Sequence, residues 1–536
     1  MNSTYDFSLI DIMKICLVRK KIVKSYLTMS DLKNLSKTCK WMKYLVNNEV
    51  ISKKMVWYSD IPHIKINPPV KGFFKSLEEN NLENIVLEKE DKYPVFLKDG
   101  KRFNKEIVVI GNCISLSIDN GTRKLNVKDR NIVVSKLSNE INNICHLRSN
   151  STTLRFMEYC FSNDFMIIHL LSYLNHRNVK SIHIPLHSLM FGSQKYIGLK
   201  DNIFEGFTKL NELVLFSSPA INAITSFVKN RSIVKHVFKT FSKIKNATIV
   251  FKDLGCDYTT ITDYIHMILE VAVKYEIKIK WDITSTFEFF NIRNNDNCSI
   301  INCNHFPLEK FVSSFSSNIG NFNTFFKIMK SLRNLKNLET LKLRIYFSNF
   351  KEQINENCED VSLKYCNKMK KVILDFKVNL VNDIEQQNEI LHNDLEYLSS
   401  LMPETVEKLE LHNCYSLTKE VTKVINKYMP NIKVIIANNV SYNDYDSLES
   451  FKNLQAYISC NNVSIKIPNT VKFLAIGNKK KWCSLNDSPL NKEQLKKYSG
   501  RFSKKLSNYK DDYIFFDDIY QWDMYKNLLL NNFIAY

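Results

Sequence analysis

The residues best suited to metal chemistry are Cys298, Cys303 and His305, which lie together in the stretch NCSIINCNH. Thiolate and imidazole groups are the ligands that zinc prefers, and a structural zinc site needs four of them. The cysteines lack the C-x2-C spacing of zinc modules, and no clear fourth ligand follows. We therefore interpret them as thiols on a loop and predict neither a metal site nor a cofactor.

No set of catalytic residues can be picked out of the sequence. The G-x-S-x-G elbow, the G-x-x-x-x-G-K-[ST] phosphate loop and the H-E-x-x-H helix are all missing. Cys358 and Cys366 are isolated, and a lone His412 inside a strand is more often a contact or turn residue than a catalyst. We predict that the chain is not an enzyme and has no catalytic residues.

The elements that must position these side chains share a recurring spacing of apolar residues. In MPETVEKLELHN the apolar residues are Val406, Leu409 and Leu411. Similar patterns occur in NLETLKLRI, which begins at Asn337, and in KLNELVLFS, which begins at Lys209. Side chains alternate between the two faces of a strand, so Leu409 and Leu411 share one face. The polar residues Glu410 and His412 are therefore where we expect binding specificity.

Repeats of this kind extend over most of the chain. Their first apolar residues are Leu154, Val179, Leu210, Ile244, Leu308, Leu338, Met369, Val406, Ile432, Leu454 and Val471. The segment Glu276 to Trp281 supplies one more strand in the longest interval. Apolar residues at helical spacing lie between strands, as in Phe322 to Leu332 and Val421 to Tyr428.

A strand followed by a helix at this period resembles the leucine-rich repeat. The polar residue after the strand is also present, as Asn413, Asn438, Asn461 and Asn478. The resemblance implies an α/β solenoid with parallel strands inside the curve and helices outside. It covers residues 151–478.

The N-terminal residues resemble the F-box, a short helical motif. The matching stretches are IVKSYL from Ile22, SDLKNL from Ser30 and TCKWM from Thr38, with Leu45 and Trp57 in keeping. The resemblance implies docking on a Skp-type adaptor, and the residues we expect to carry it are Val23, Leu27, Leu32, Leu35 and Trp41. The Leu-Pro usual at the start of the motif would fall near Lys14 to Cys16, where there is no proline.

These patterns divide the chain into four regions. Residues 1–57 form an F-box-like helical module, and residues 58–150 form a connector with irregular first repeats. Residues 151–478 form the leucine-rich-repeat solenoid. Residues 479–536 form a C-terminal cap or tail, for which we predict a helical cap over the last repeats; a partner-binding tail is the alternative.

Composition indicates which cellular compartment and which class of partner to expect. The 536 residues carry 75 Lys and Arg against 55 Asp and Glu, a formal net charge of +20, but these charges are spread along the chain. We interpret them as a solvated surface, so nucleic acid is not the expected partner. The 13 cysteines, the absence of a secretory leader and the absence of a membrane span indicate a cytoplasmic or nuclear protein.

Together, the resemblances imply a substrate-recognition adaptor of a cullin-type ubiquitin ligase. The F-box would dock on the Skp-type adaptor, and the repeats would bind a protein substrate whose identity the sequence does not reveal. One alternative is a leucine-rich-repeat scaffold without ligase association, which the missing proline favours. Another is a basic repeat protein that binds nucleic acid, for which affinity would fall steeply with salt.

Overall fold

A computed structural model gives the fold. It describes residues 9–15, 29–46, 55–58, 63–67, 88–92, 106–109, 113–118, parts of 134–143, 152–157, 165–189, 201–216, 231–252, 262–282, 310–346, 348, 350, 361–377, 384–460, 465–477, 492–507, 513–518 and parts of 520–529. The predicted docking residues Val23 and Leu27 lie outside these ranges. So do Cys298, Cys303, His305 and Cys358.

The N-terminal part contains short helices followed by short strands. The helices are α1 (Leu9–Lys14), α2 (Met29–Thr38) and α3 (Lys40–Leu45), and the strands are β1 (Met55–Tyr58), β2 (His63–Asn67), β3 (Glu88–Lys92), β4 (Glu106–Val109) and β5 (Cys113–Ile118). Strands β1 and β4 pair with each other in parallel. Strand β2 pairs antiparallel with β3 and parallel with β5, where the main sheet begins.

The main sheet continues through strands that follow β5 in chain order. They are β6 (Thr153–Met157), β7 (Ser181–Pro185), β8 (Glu212–Phe216), β9 (Thr248–Lys252), β10 (Lys278–Asp282), β11 (Val312–Ile319), β12 (Thr340–Ile345), β13 (Lys371–Phe376), β14 (Lys408–Leu417), β15 (Val434–Tyr442), β16 (Ala456–Ser459) and β17 (Phe473–Ile476). From β5 to β17, each of these thirteen strands pairs in parallel with the next. This sequential pairing of neighbouring repeats is a solenoid-like arrangement.

Helices connect many of these strands. They are α4 (Phe165–Leu171), α5 (Arg231–Phe241), α6 (Thr262–Lys274), α7 (Phe322–Leu332), α8 (Ile384–Ser400) and α9 (Lys419–Tyr428). Local sequence sets where two of them begin: the Asn321 side chain accepts a hydrogen bond from the Thr324 backbone N–H, and the Thr418 side chain accepts one from Val421. Both side chains therefore act as helix N-caps.

One face of the sheet packs against these helices to form the main core. The core takes alternate residues of each strand, such as Leu341 and Leu343 of β12 and Leu409 and Leu411 of β14, all of them buried. It also takes the apolar stripe of α5, including Phe238 and Phe241. A strand starts within four residues of each predicted repeat start, so the prediction of an α/β fold with a parallel sheet is confirmed.

The chain ends with α10 (Lys492–Arg501), β18 (Lys504–Ser507) and β19 (Tyr513–Phe516). Strand β19 lies antiparallel between β17 and β18. We predicted a helical cap from Asp511 onward, but this segment begins with a strand. The unpaired edge of β17 explains the difference, because a segment rich in aromatic residues can complete the backbone hydrogen bonds of that edge.

A second apolar cluster joins the two ends of the chain. Leu32, Met42 and Leu45 of the N-terminal helices are buried together with Phe473 of β17 and Trp522, which follows β19. Polar contacts also cross this contact region, since Ser36 Oγ and Tyr520 OH lie 3.0 Å apart. The N-terminal helices therefore pack on the last strands of the solenoid.

The apolar residues Leu32, Leu35, Cys39, Met42 and Leu45 recur at helical spacing, but they are divided between two helices. Helix α2 ends at Thr38, and the Cys39 sulfur accepts a hydrogen bond from the Met42 backbone N–H to begin α3. The apolar spacing continues across the end of α2 and the start of α3, because both helices bury residues in the same cluster. Among the helices that the structure describes, none has the length and apolarity required to cross a bilayer.

Candidate protein-binding face

The main sheet has a second face, opposite the helix-covered core, which we call the front face. It is formed by the strand residues that alternate with the core residues, such as Lys408, Glu410 and His412 on β14. Glu410 and His412 therefore lie on the face opposite Leu409 and Leu411; that they determine binding specificity stays a prediction. Near its C-terminal end, this face becomes apolar and is covered by the N-terminal helices.

Glu410 is the centre of one polar network on the front face. Its carboxylate lies 2.8 Å from Lys371 Nζ and 2.9 Å from His412 Nε2. The other ring nitrogen of His412 lies 3.1 Å from Asn438 Nδ2. An ionised carboxylate only accepts hydrogen bonds, so Nε2 of His412 donates to Glu410, and Nδ1 accepts from Asn438 when the ring is neutral.

The pKa of Glu410 reflects these partners. Burial alone would raise its pKa, but the hydrogen bond from His412 and the charge of Lys371 outweigh burial and hold the pKa at about 2, below the ordinary 4.5. Glu410 is therefore ionised throughout the neutral range, and its charge is satisfied within the fold.

This lowered pKa predicts a pH-dependent contribution to stability. Glu410→Gln should lower the free energy of unfolding at neutral pH by about 2–3 kcal/mol, because a carboxylate with a lowered pKa stabilises the fold above its unfolded pKa. The difference from the unsubstituted chain should shrink as pH falls below 4.5 and disappear near pH 2. Denaturant unfolding across this range measures it.

Glu420→Gln on α9 is the matched control for that experiment. Glu420 pairs with Lys423 one turn away, and both side chains are largely exposed. Exposed ion pairs contribute about 0–1 kcal/mol, so this substitution should change little at any pH. An equal loss for the two variants, or a pH-independent loss for Glu410→Gln, would contradict the assigned network.

Asp375 is the centre of a second network, one strand away. It is 3% exposed, and its oxygens lie 3.0 Å from Arg344 Nε and 3.5 Å from Lys377 Nζ. Asn413 Nδ2 donates to the same carboxylate at 2.8 Å. Burial alone would lower the pKa of Arg344, but its hydrogen bond to Asp375 outweighs burial and raises the pKa.

Two asparagines within β14 and β15 extend this network. Asn439 Nδ2 donates to Asn413 Oδ1 at 2.8 Å. Both residues have left-handed backbone conformations, with φ of 57° and 58°, which asparagine tolerates better than most residues. The sequence pattern had aligned Asn413 with Asn438, but the strand register pairs Asn438 with His412, so Asn439 is the equivalent residue. Asn461 and Asn478 lie outside the described residues.

Lys408 differs from Lys371, Arg344 and Lys377, each of which is paired with a carboxylate. In the part of the chain that the structure describes, its ammonium group has no hydrogen-bond or ion-pair partner. Burial lowers its pKa to about 8, the nearby Lys371 adds to this effect, and Glu410 opposes it. Lys408 is thus a partly buried cation that has lost part of its hydration and gains no hydrogen bond or ion pair from the described residues.

A third group of basic side chains lies on the front face near its other end. Arg155 of β6 and His183 of β7 are paired residues of adjacent strands. Burial lowers the pKa of His183 to about 3, helped by the charges of Lys252 and Arg155. The Arg155 guanidinium lies over the ring of Phe216, 5.3 Å from its centroid, and its buried Nε has no hydrogen-bond partner.

The predicted docking residues have different surroundings. Leu32 is fully buried in the cluster that joins the chain ends, whereas Leu35 and Trp41 are partly buried at its border. Tyr44 and Ile15 are exposed large side chains of this module, at 63% and 51%. Of the predicted set, Leu35 and Trp41 are therefore the described residues that reach the surface.

The described cysteines Cys39, Cys366, Cys414 and Cys460 form no disulfide and lie outside any group that could bind a metal. Cys366, Cys414 and Cys460 are buried, as expected of thiols that act as small apolar side chains, and burial raises the pKa of Cys366 and of Cys414. Within the described ranges, no cluster of three or more His, Cys, Asp or Glu side chains is suited to a metal ion.

A protein-family model with the description "Domain of unknown function (DUF8346)" matches residues 73–529, which include strands β5 to β19. Helices α1 to α3 precede this range. A search of curated proteins found no match.

Proposed function

We propose that this chain, which belongs to the DUF8346 family, is a recognition protein that binds a protein partner on its front face. The observation that carries the proposal is the long array of parallel strands with polar networks on the face opposite the helices. Such an array presents many weakly coupled positions, which suits the recognition of an extended partner better than catalysis.

The finer proposal is that the chain is a substrate-recognition adaptor of a cullin-type ubiquitin ligase. Its support is the F-box resemblance together with a helical module that keeps Trp41 and Tyr44 at the surface. In this proposal, the module docks on a Skp-type adaptor while the solenoid holds the substrate. The ubiquitin transfer is carried out by other subunits.

Co-purification with a Skp-type adaptor tests the finer proposal. The unsubstituted full chain should capture the adaptor, and Trp41→Ala should reduce capture about tenfold or more, because tryptophans are frequent energetic anchors of protein interfaces. Leu32→Asp is not a suitable test, since Leu32 is buried inside the fold.

Tyr365→Ala is the matched control. Tyr365 is an aromatic residue that is 77% exposed and precedes β13, far along the chain from the helical module. Its substitution should leave capture unchanged. No capture by the unsubstituted chain would remove the ligase proposal and leave the alternative of a scaffold without ligase association, which the internal packing of Leu32 favours.

A further inference from the structure

The described carboxylates of the front face are already neutralised within the protein. Each is bound to at least one cation of the same face: Glu212 to Lys280, Asp375 to Arg344, and Glu410 to Lys371. These pairs hold the strand side chains in place. They leave no described carboxylate of this face without a cationic partner.

Other cations of the front face have no such partner. Among the described residues, no hydrogen bond or ion pair reaches the charged groups of Arg155, Lys278, Lys342 and Lys408. These residues lie on β6, β10, β12 and β14, always at positions that alternate with core residues. The front face therefore carries a strip of excess positive charge.

Three members of this strip, Arg155, Lys342 and Lys408, are partly buried. The Nε of Arg155 is inaccessible to solvent and unbonded, and the guanidinium carbon lies over the Phe216 ring, 5.3 Å from its centroid. Lys408 lies in the row between Lys371 and Val434, where the surface turns apolar. Burying a cation without a partner is costly, so an incoming anion would recover solvation that the fold has lost.

The dimensions of the strip favour an extended segment. Neighbouring strands are ~4.8 Å apart, so the eight steps from β6 to β14 span about 38 Å. At ~3.3 Å per residue, an extended segment of about 12 residues covers that length. The interleaved carboxylates Glu212, Asp375 and Glu410 would repel the closely spaced phosphates of a nucleic acid, whereas a peptide can place its acidic residues opposite the free cations.

We infer that the front face binds an extended acidic segment of a protein, with carboxylates placed opposite Arg155, Lys278, Lys342 and Lys408. The inference rests on the proposed function as a recognition protein, and it names the chemistry of the partner. It does not depend on ligase association.

Fluorescence anisotropy with labelled peptides tests the inference on the full chain. A 12-residue peptide of alternating Glu and Ser should bind, while the same peptide with Gln or Lys in place of Glu should not. Affinity should fall as salt increases, because exposed charges are screened. The double variant Lys342→Gln/Lys408→Gln should bind the Glu peptide about tenfold more weakly.

The double variant Lys239→Gln/Lys330→Gln is the matched control. These lysines are exposed on helices α5 and α7, which pack on the opposite face of the sheet, and their loss changes the net charge equally. Affinity should stay within about twofold of the unsubstituted chain. An equal loss in both double variants would show net-charge attraction and overturn the inference.

Two further outcomes would overturn it. One is that the Glu peptide shows no binding at low salt. The other is that a 12-nucleotide single-stranded DNA binds more tightly than the peptide with the same dependence on Lys342 and Lys408. Neither readout involves a Skp-type adaptor, so failure here and failure of adaptor capture are distinguishable.

Discussion

Replacing Asp375 with alanine is expected to destabilise the central repeats by about 3–5 kcal/mol, the cost of removing one partner of a buried ion pair. The carboxylate is almost fully buried and is bonded by Arg344 and Asn413. Its loss would leave the partly buried guanidinium without its counter-charge and the Asn413 amide without its acceptor. Asn413 also bonds Asn439, so the loss should extend to β15.

Native-state hydrogen exchange of the amides in β12 to β15 measures this effect, because it reports the local free energy of opening in a repeat protein. Asp446→Ala is the control. Asp446 also pairs with a lysine, Lys419, but both side chains are about one-third exposed. Because this pair is screened by solvent, its loss should cost far less than the loss of Asp375. Equal costs for the two variants would show that the Asp375 network does not stabilise the sheet.

The sequence predicted the arrangement of strands and helices well because the signal is local and repeated. Leu409 and Leu411 point into one core for the same reason as Leu341 and Leu343: a period of two on a strand covered on one face. The polar positions between them could also be assigned to a face. Their partners could not, because Lys371 and Glu410 are 39 positions apart and meet only through the register of β13 with β14.

Other features had no recognisable sequence signal. The equivalence of Asn413 with Asn439 depends on the register of β14 with β15. The spacing of the apolar residues alone is compatible with a shift of one residue, so it did not distinguish Asn438 from Asn439. The burial of Leu32 depends on contacts with a segment almost 500 residues away. An amphipathic pattern shows that a helix has an apolar face, but it does not show whether that face is covered by the same chain or by a partner.

Leu32→Asp is expected to detach the N-terminal helices from the sheet. Truncating a buried leucine costs about 3–5 kcal/mol, and burying a carboxylate without a partner adds to that cost. Leu32 is fully buried with Met42, Leu45 and Phe473. The substitution should therefore expose α2 and α3 to limited proteolysis and speed amide exchange in β17 and β19, while β6 to β14 keep their protection.

Asn34→Asp is the matched control, since it adds the same charge to an exposed position of the same helix. It should leave proteolysis and exchange unchanged. Equal sensitivity of the two variants would mean that charge on α2, rather than burial of Leu32, controls the contact region.

Trp522→Ala separates the two possible roles of this module. Trp522 is buried in the same cluster but belongs to the opposite end of the chain. If the cluster is one cooperative unit, Leu32→Asp and Trp522→Ala should release the same amides, and the double variant should cost less than the sum of the two. Strict additivity would contradict a shared unit. Leu32 and Trp522 serve the internal contact, so among the described residues of the module adaptor docking is left to Leu35, Trp41 and Tyr44, which reach the surface. A chain released by Trp522→Ala should therefore still capture the adaptor.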